Sequence, residues 1–387
     1  MGMSWLEVSA GRLAANYEVL REVAGVPVLA VVKADGYGHE AAVCAPVLAR
    51  AGVEWLGVTD AWEGGMVRVA MEAAGIARQV QPRVLVMCGL LLEDAETVVR
   101  EDLTPVIWTV EQMRWLSAAV ETVRPGTTLA VHLEIDSGMT RQGIAPGAGL
   151  EVLLAEMYAN KVLRLDGVLT HFASAEVAGS AQTEAQWGEF ALAMRQVRAS
   201  GMIPSWVHVG NTSGVDLSRA MVKELERVSK GSAVMVRAGL GLYGYCLPLE
   251  GEGMGARLRG EVLPVMCWKT RVTGVRVVEA GVAVGYGGTF VTEQRMKLAL
   301  VPVGYADGLR RELSGAGWVM IAGKRAGIVG RVSMNLTVVD VTGMEAAVGD
   351  EVVVLGEGCT AEDHARLCGT IAYEILCGVR AEARLVR

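Results

Sequence analysis

Along the first two-thirds of the chain, short apolar and β-branched runs alternate with longer stretches of helical period. The runs Val26–Val32, Trp55–Thr59, Arg83–Cys88, Pro105–Trp108, Leu129–Ile135, Gly167–Thr170, Trp206–Val209 and Val234–Val236 have the length and composition of buried strands. Between them Glu40–Ala51, Ala61–Ala74, Leu91–Glu101, Val110–Val123, Ala148–Asn160, Thr183–Ser200 and Gly214–Ser229 predict helices. Seven crossover helices joining eight strands is the alternation of a parallel sheet. Eight such units in about 240 residues suit a closed (β/α)8 barrel, with an open doubly wound sheet as the alternative.

The pattern changes after Cys246. Glu250-Gly251-Glu252-Gly253 predicts a linker. Short strand-like runs follow at Val272–Val278, Lys297–Val303, Trp318–Ile321, Ala326–Val329, Thr337–Val341 and Glu351–Leu355, with helices only at Ala361–Cys368 and Ala372–Cys377. The chain is therefore expected to divide into an α/β barrel over 9–248 and a β-rich C-terminal domain over 249–387. Trp5–Val8, within 1–8, is a candidate extra strand of the latter.

Composition narrows the class. The 387 residues are 52% hydrophobic and 20% charged, enough for a large core and unlike a disordered chain. Acidic residues outnumber basic ones, 43 to 36, which argues against a nucleic-acid partner. Cys44, Cys88, Cys246, Cys267, Cys359, Cys368 and Cys377 form no CxxC pair, so no zinc or other metal site is expected. Unpaired cysteines and the lack of a signal-peptide pattern point to the cytoplasm, and no apolar run is long enough to span a membrane.

The chemistry gathers where the expected strands end. Lys33-Ala34-Asp35-Gly36-Tyr37, Asp136-Ser137-Gly138, His171-Phe172, Asn211-Thr212-Ser213 and Arg237-Ala238-Gly239 all follow a strand. Barrel enzymes build their sites from these C-terminal strand ends. Gly239-Leu240-Gly241-Leu242-Tyr243-Gly244 matches GxGxxG, but it follows the last strand rather than the first, which excludes a Rossmann site. These glycines either cradle a phosphate, helped by Ser213, or simply turn the chain. Asn211-Thr212-Ser213 also fits a glycosylation sequon, idle in a cytoplasmic chain. Lys33, after an apolar run, is expected at the barrel mouth, where an enclosed amine becomes a nucleophile or base; snorkelling to solvent is the alternative. Lysine and phosphate site together suggest pyridoxal phosphate (PLP).

Val31-Val32-Lys33-Ala34-Asp35-Gly36-Tyr37-Gly38-His39 resembles the PLP-lysine motif of the alanine racemases. Seven further segments resemble that family in its order. They are Asp136–Gly143, Thr170–Ala173, Arg237–Gly244, Gly285–Thr289, Gly304–Gly308, Gly330–Met334 and Ile371–Glu374. The resemblance runs from residue 31 to residue 374 and implies a PLP-binding barrel followed by a β-domain.

It also implies site residues. Lys33 would carry PLP and act as base toward D-alanine, and Tyr286 would be the base toward L-alanine. His171 would assist Tyr286 and link it to Arg237, which would face the pyridine nitrogen. Tyr37, Ser213, Tyr373 and the backbone of Gly239 and Leu240 would hold the phosphate. Arg141 and the Met334 N–H would receive the substrate carboxylate. The resemblance further implies a homodimer with shared active sites and a supply of D-alanine to peptidoglycan. Two positions depart from many relatives: Glu134 stands where they carry a carbamylated lysine, and Asn335 where they have aspartate. Glu134 is expected to replace the carbamate as the partner of Arg141. A racemase of broader or serine specificity, a PLP decarboxylase and a non-catalytic PLP carrier are the competing functions.

Overall fold

The computed structural model describes residues 3–217, 219–251 and 257–386. Glu252 and Gly253 of the expected linker lie outside the described residues. By packing, the chain divides into two units. One comprises Leu13–Ala34 and Cys44–Leu263; the other comprises Met1–Arg12, Asp35–Val43 and Pro264–Arg387.

The first unit is a closed barrel of eight parallel strands in chain order. With the N-terminal strand Ser4–Ser9 as β1, these are β2 (Val28–Val31), β3 (Trp55–Val58), β4 (Arg83–Val86), β5 (Thr104–Ile107), β6 (Leu129–Glu134), β7 (Leu163–Leu169), β8 (Trp206–Val209) and β9 (Ala233–Ala238). Parallel strands covered on both faces read as continuous apolar runs. Accordingly β2, β3 and β5 are buried at every position. Each fully buried valine or leucine contributes about 1.5–3 kcal/mol.

Side chains at helix starts satisfy the first free N–H groups of the crossover helices. Asp60 accepts from Glu63 N, and Thr109 forms a reciprocal capping box with Gln112. In Val110–Val123, Met113, Leu116 and Val120 recur at helical spacing and are buried.

Three features differ from the sequence expectation. A helix, Ala10–Ala24, precedes β2; its buried Leu13, Tyr17, Leu20 and Ala24 have helical spacing. Gly214–Ser229 is assigned as Thr212–Leu217 and Arg219–Ser229, with Ser218 outside the described residues. β7 starts at Leu163, not Gly167, because Arg164 and Asp166 belong to the strand rather than to a turn.

The second unit is β-rich. Its strands are β10 (Met266–Arg271), β11 (Gly274–Val278), β12 (Ala283–Val284), β13 (Phe290–Val291), β14 (Met296–Val301), β15 (Trp318–Ile321), β16 (Lys324–Gly327), β17 (Thr337–Asp340), β18 (Glu351–Leu355) and β19 (Glu382–Val386). β1 is the fifth member of a six-stranded sheet, β16-β15-β18-β10-β1-β19, beside sheets β11-β14-β17 and β12-β13. The expected strand Val272–Val278 is β11, which starts two residues later at Gly274, and β10, ending at Arg271, precedes it as a strand the sequence pattern does not predict.

Candidate active site

Lys33 follows β2 and is half-buried. The backbone after it is left-handed: φ is 53° at Ala34, 53° at Asp35 and 55° at Tyr37, with Gly36 at 64° and Gly38 at 78°. Each non-glycine residue there costs about 1–2 kcal/mol. Local contacts hold the turn. Asp35 Oδ1 accepts from Ala41 N at 2.8 Å, and His39 Nδ1 lies 3.0 and 3.1 Å from the carbonyl oxygens of Gly36 and Tyr37. Those oxygens only accept, so the His39 proton is on Nδ1. Burial lowers the His39 pKa to about 4. In the second unit the Tyr37 ring stands 5.8 Å from that of Tyr373, and burial raises the Tyr37 phenol's pKa.

Arg237 on β9 is only 5% exposed. Its Nη1 lies 3.0 Å from His208 Nδ1 and 3.1 Å from His208 O; its Nη2 lies 2.7 Å from Thr170 O and 3.2 Å from His171 Nδ1. A guanidinium donates and never accepts. Both Nδ1 atoms are therefore acceptors, and both imidazoles are neutral with the proton on Nε2. Burial and the Arg237 charge lower His171 to about 3 and His208 well below its ordinary range. Burial brings Arg237 down to about 10, still charged at neutral pH. The Arg237 Nε–H has no acceptor among the described residues. His208 was not singled out in the sequence, although it sits within a strand where a histidine needs a partner.

At the end of β9, Thr212 Oγ1 accepts from Gly239 N at 3.3 Å and from Gly241 N at 3.0 Å. The hydroxyl of Thr212, also missed in the sequence, ties this glycine turn to the loop after β8. Gly239 thus has its N–H engaged, whereas the Leu240 N–H has no acceptor among the described residues. Ser213 is buried at the start of Thr212–Leu217.

The loop after β6 carries Arg141, which is exposed. Asp136 Oδ1 accepts from Gly138 N and Thr140 N, each at 3.0 Å. Gly143 has φ of 101°, and a Cβ there would come 2.7 Å from Asp136 N, so only glycine closes this loop. Glu134 is buried, which raises its pKa; Gln142, Arg237 and Arg141 pull the other way. Its hydrogen-bond partner is Gln142, whose Nε2 lies 2.5 Å from Oε2 and also donates to Met87 O at 2.9 Å. The expected Glu134–Arg141 pairing is not formed; Glu134 instead holds the residue after Arg141.

The second unit presents Tyr286 and Met334 at its surface, 72% and 57% exposed. Tyr286 opens a turn flanked by Gly285 and Gly287 at φ 73° and 71°. Met334 O accepts from Ala306 N at 2.9 Å. Asn335 Nδ2 lies 3.3 Å from Asp307 Oδ2. An aspartate there would face a like charge, so the amide suits its neighbour.

These groups fit pyridoxal phosphate. The barrel offers a lysine amine, a cationic donor with one N–H to spare, a free backbone N–H at Leu240 and the hydroxyl of Ser213. Donors of that kind suit a ring nitrogen and a phosphate dianion. Fold and site thus define a PLP-dependent barrel enzyme.

Comparison with known proteins narrows the class. Residues 8–247 match the family described as "Alanine racemase, N-terminal domain", and residues 265–387 match "Alanine racemase, C-terminal domain". The chain is 37% identical to an alanine racemase of Syntrophobacter fumaroxidans, over 98% of this chain and 96% of the relative. It is 35% identical to one of Symbiobacterium thermophilum, over 98% and 95%. The solved alanine racemase of Streptomyces coelicolor superposes with a TM-score of 0.88 at 30% identity, covering 100% of this chain and 98% of that one. The chain belongs to the alanine racemase family.

Proposed function

We propose that this protein interconverts L-alanine and D-alanine with PLP on Lys33, and that it supplies D-alanine for peptidoglycan from the cytoplasm. No described helix is long and apolar enough to cross a membrane. The observation that carries the activity is the bonding of Arg237. Four N–H contacts to neutral acceptors fix the guanidinium and leave only Nε–H to offer.

When bound, PLP supplies an electron sink that makes the substrate α-proton removable. Arg237 can donate to the ring nitrogen but cannot protonate it readily, which moderates the sink and favours proton return over side reactions. The Lys33 amine takes or returns the α-proton on one face, and the Tyr286 phenol does so on the other. A phenol holds its proton up to about pH 10. His171 eases that loss, because its Nε2–H is a donor available to a phenolate. Arg141 and the Met334 N–H receive the substrate carboxylate. Ser213 and the Leu240 N–H are the barrel's proposed phosphate donors, with Gly239 held in place by Thr212. Those proposed for the second unit are Tyr37 and Tyr373. Tyr286 and Met334 are exposed on the chain, which suits their serving the site of a second copy in a homodimer.

Incubation of the PLP-loaded protein with L-alanine, with D-alanine and CO2 both measured, tests the function. D-alanine without CO2 is expected. CO2 release would make the protein a decarboxylase, and neither product would leave it a carrier.

A further inference from the structure

The bonding of Arg237 does not stop at His208. His208 Nε2 lies 2.9 Å from His132 Nδ1, and both rings are fully buried inside the barrel. The proton sense of this contact is fixed from the active-site end. Arg237 occupies His208 Nδ1 as a donor, so His208 carries its proton on Nε2 and donates it to His132 Nδ1. His132 therefore carries its own proton on Nε2. That atom lies 3.8 Å from Asp166 Oδ2, beyond hydrogen-bond contact, and has no other partner among the described residues.

Asp166 is built into this position. Between β6 and β7 the register shifts: Val131 pairs with Leu165, and His132 with Gly167. Asp166 is the extra residue, and such bulges re-aim a side chain. Its carboxylate is 2% exposed and receives Arg83 Nη2 at 2.6 Å, Arg164 Nη1 at 2.5 Å and Ser205 Oγ at 2.8 Å. Gly167, the next residue, makes room for the chain. A Cβ there would come 2.5 Å from the His132 ring. Trp55 packs on the other side, 5.1 Å from that ring, with Arg83 stacked on it at 4.0 Å.

We propose that Asp166 and His132 are positioning residues, which through His208 hold Arg237 in place from β6 and β7. The chain has one sense throughout: Arg237 donates to His208, His208 to His132, and His132 turns its N–H toward a carboxylate. The donor-only and acceptor-only ends demand the same tautomers. The Asp166 charge favours the His132 Nε2–H, which makes each ring a better acceptor for the donor before it. The cationic Arg237 is thereby anchored without a carboxylate touching it. This proposal rests on the role given to Arg237 above.

The test uses holoenzyme labelled with 15N-histidine; five histidines make assignment tractable. Long-range 1H–15N spectra should show His132 and His208 as neutral Nε2–H tautomers. An Nδ1–H form of either ring overturns the proposal. In D166N, the His208 nitrogen resonances should move, and kcat should fall about fivefold with KM for alanine within about twofold. Unmoved resonances or an unchanged kcat in a folded D166N would overturn it. Should D166N not fold, Arg83→Gln, which removes one cation from the same carboxylate, should shift the same His208 signals, and unshifted signals count against the proposal. Absence of racemase activity in the wild-type holoenzyme would sink the assigned function, while the tautomer result would still stand on its own.

Discussion

Arg237 and Tyr286 are organised in opposite ways. Arg237 is 5% exposed, and its contacts come from β7, β8 and the residues that follow them. Tyr286 is 72% exposed in a turn of glycines with positive φ. A buried polar group must have its partners supplied by the fold, since leaving one unpaired costs about 1–3 kcal/mol. An exposed one has water. The barrel interior is therefore set in advance by the single chain, whereas the Tyr286 turn holds a shape but no partner for its phenol among the described residues.

The largest effect expected from this contrast is in trans. Lys33→Ala and Tyr286→Phe should each lower racemisation by about 10²–10⁴-fold. Mixed after subunit exchange, the two inactive chains should recover part of the wild-type rate, because one of the two sites in a mixed dimer keeps both residues. Absence of recovery, with exchange verified, would mean that each chain supplies its own tyrosine.

Acid should act next on the buried histidines around Arg237. His132, His171 and His208 are buried neutral, their pKa values lowered first by burial. In the unfolded chain each takes up a proton as pH falls through about 6.5. The unfolded state then binds more protons than the folded one. Stability is thus fully present above pH 6.5 and is lost below it, by up to about 1.4 kcal/mol per pH unit for each histidine. For His171 the loss continues to about pH 3. Denaturant midpoints measured from pH 7.5 to 5 should fall in this way. A flat profile would show that the imidazoles titrate alike in both states.

The same contrast decides what could be read from the sequence. Barrel strands are legible because burial on both faces leaves runs such as Val28–Val31 and Trp55–Val58 without a polar break. The first four residues of β7 are not legible, because Arg164 and Asp166 interrupt the apolar run and are accommodated only by partners such as Arg83 and Ser205, which meet the Asp166 carboxylate. Neither a bulge nor a tautomer chain leaves a periodic trace. The left-handed turn after Lys33 is equally hidden, since Ala34, Asp35 and Tyr37 adopt a conformation their side chains disfavour. Lys33, Arg237 and Tyr286 stood out in the sequence by motif. Their supporting residues Thr212, His208 and Gln142 did not, because hydrogen bonds across strands and loops are set by the fold rather than by local spacing.

The smallest effects sharpen the comparison most, because they separate packing from chemistry. Gly167→Ala adds one carbon 2.5 Å from the His132 ring, between two barrel strands that cannot part without breaking the ladder. Such overpacking costs about 1–3 kcal/mol. Tyr286→Phe removes one oxygen from an exposed phenol and should change stability by less than about 0.5 kcal/mol. Thermal melts of the two variants would then rank opposite to their assays. The alanine variant should melt well below wild type and lose only about fivefold in kcat through the crowded His132 ring, while the phenylalanine variant melts with wild type and is nearly inactive. A Tyr286→Phe chain that melted several degrees low would mean that the hydroxyl is already held by the protein, and the two regions would no longer differ in kind.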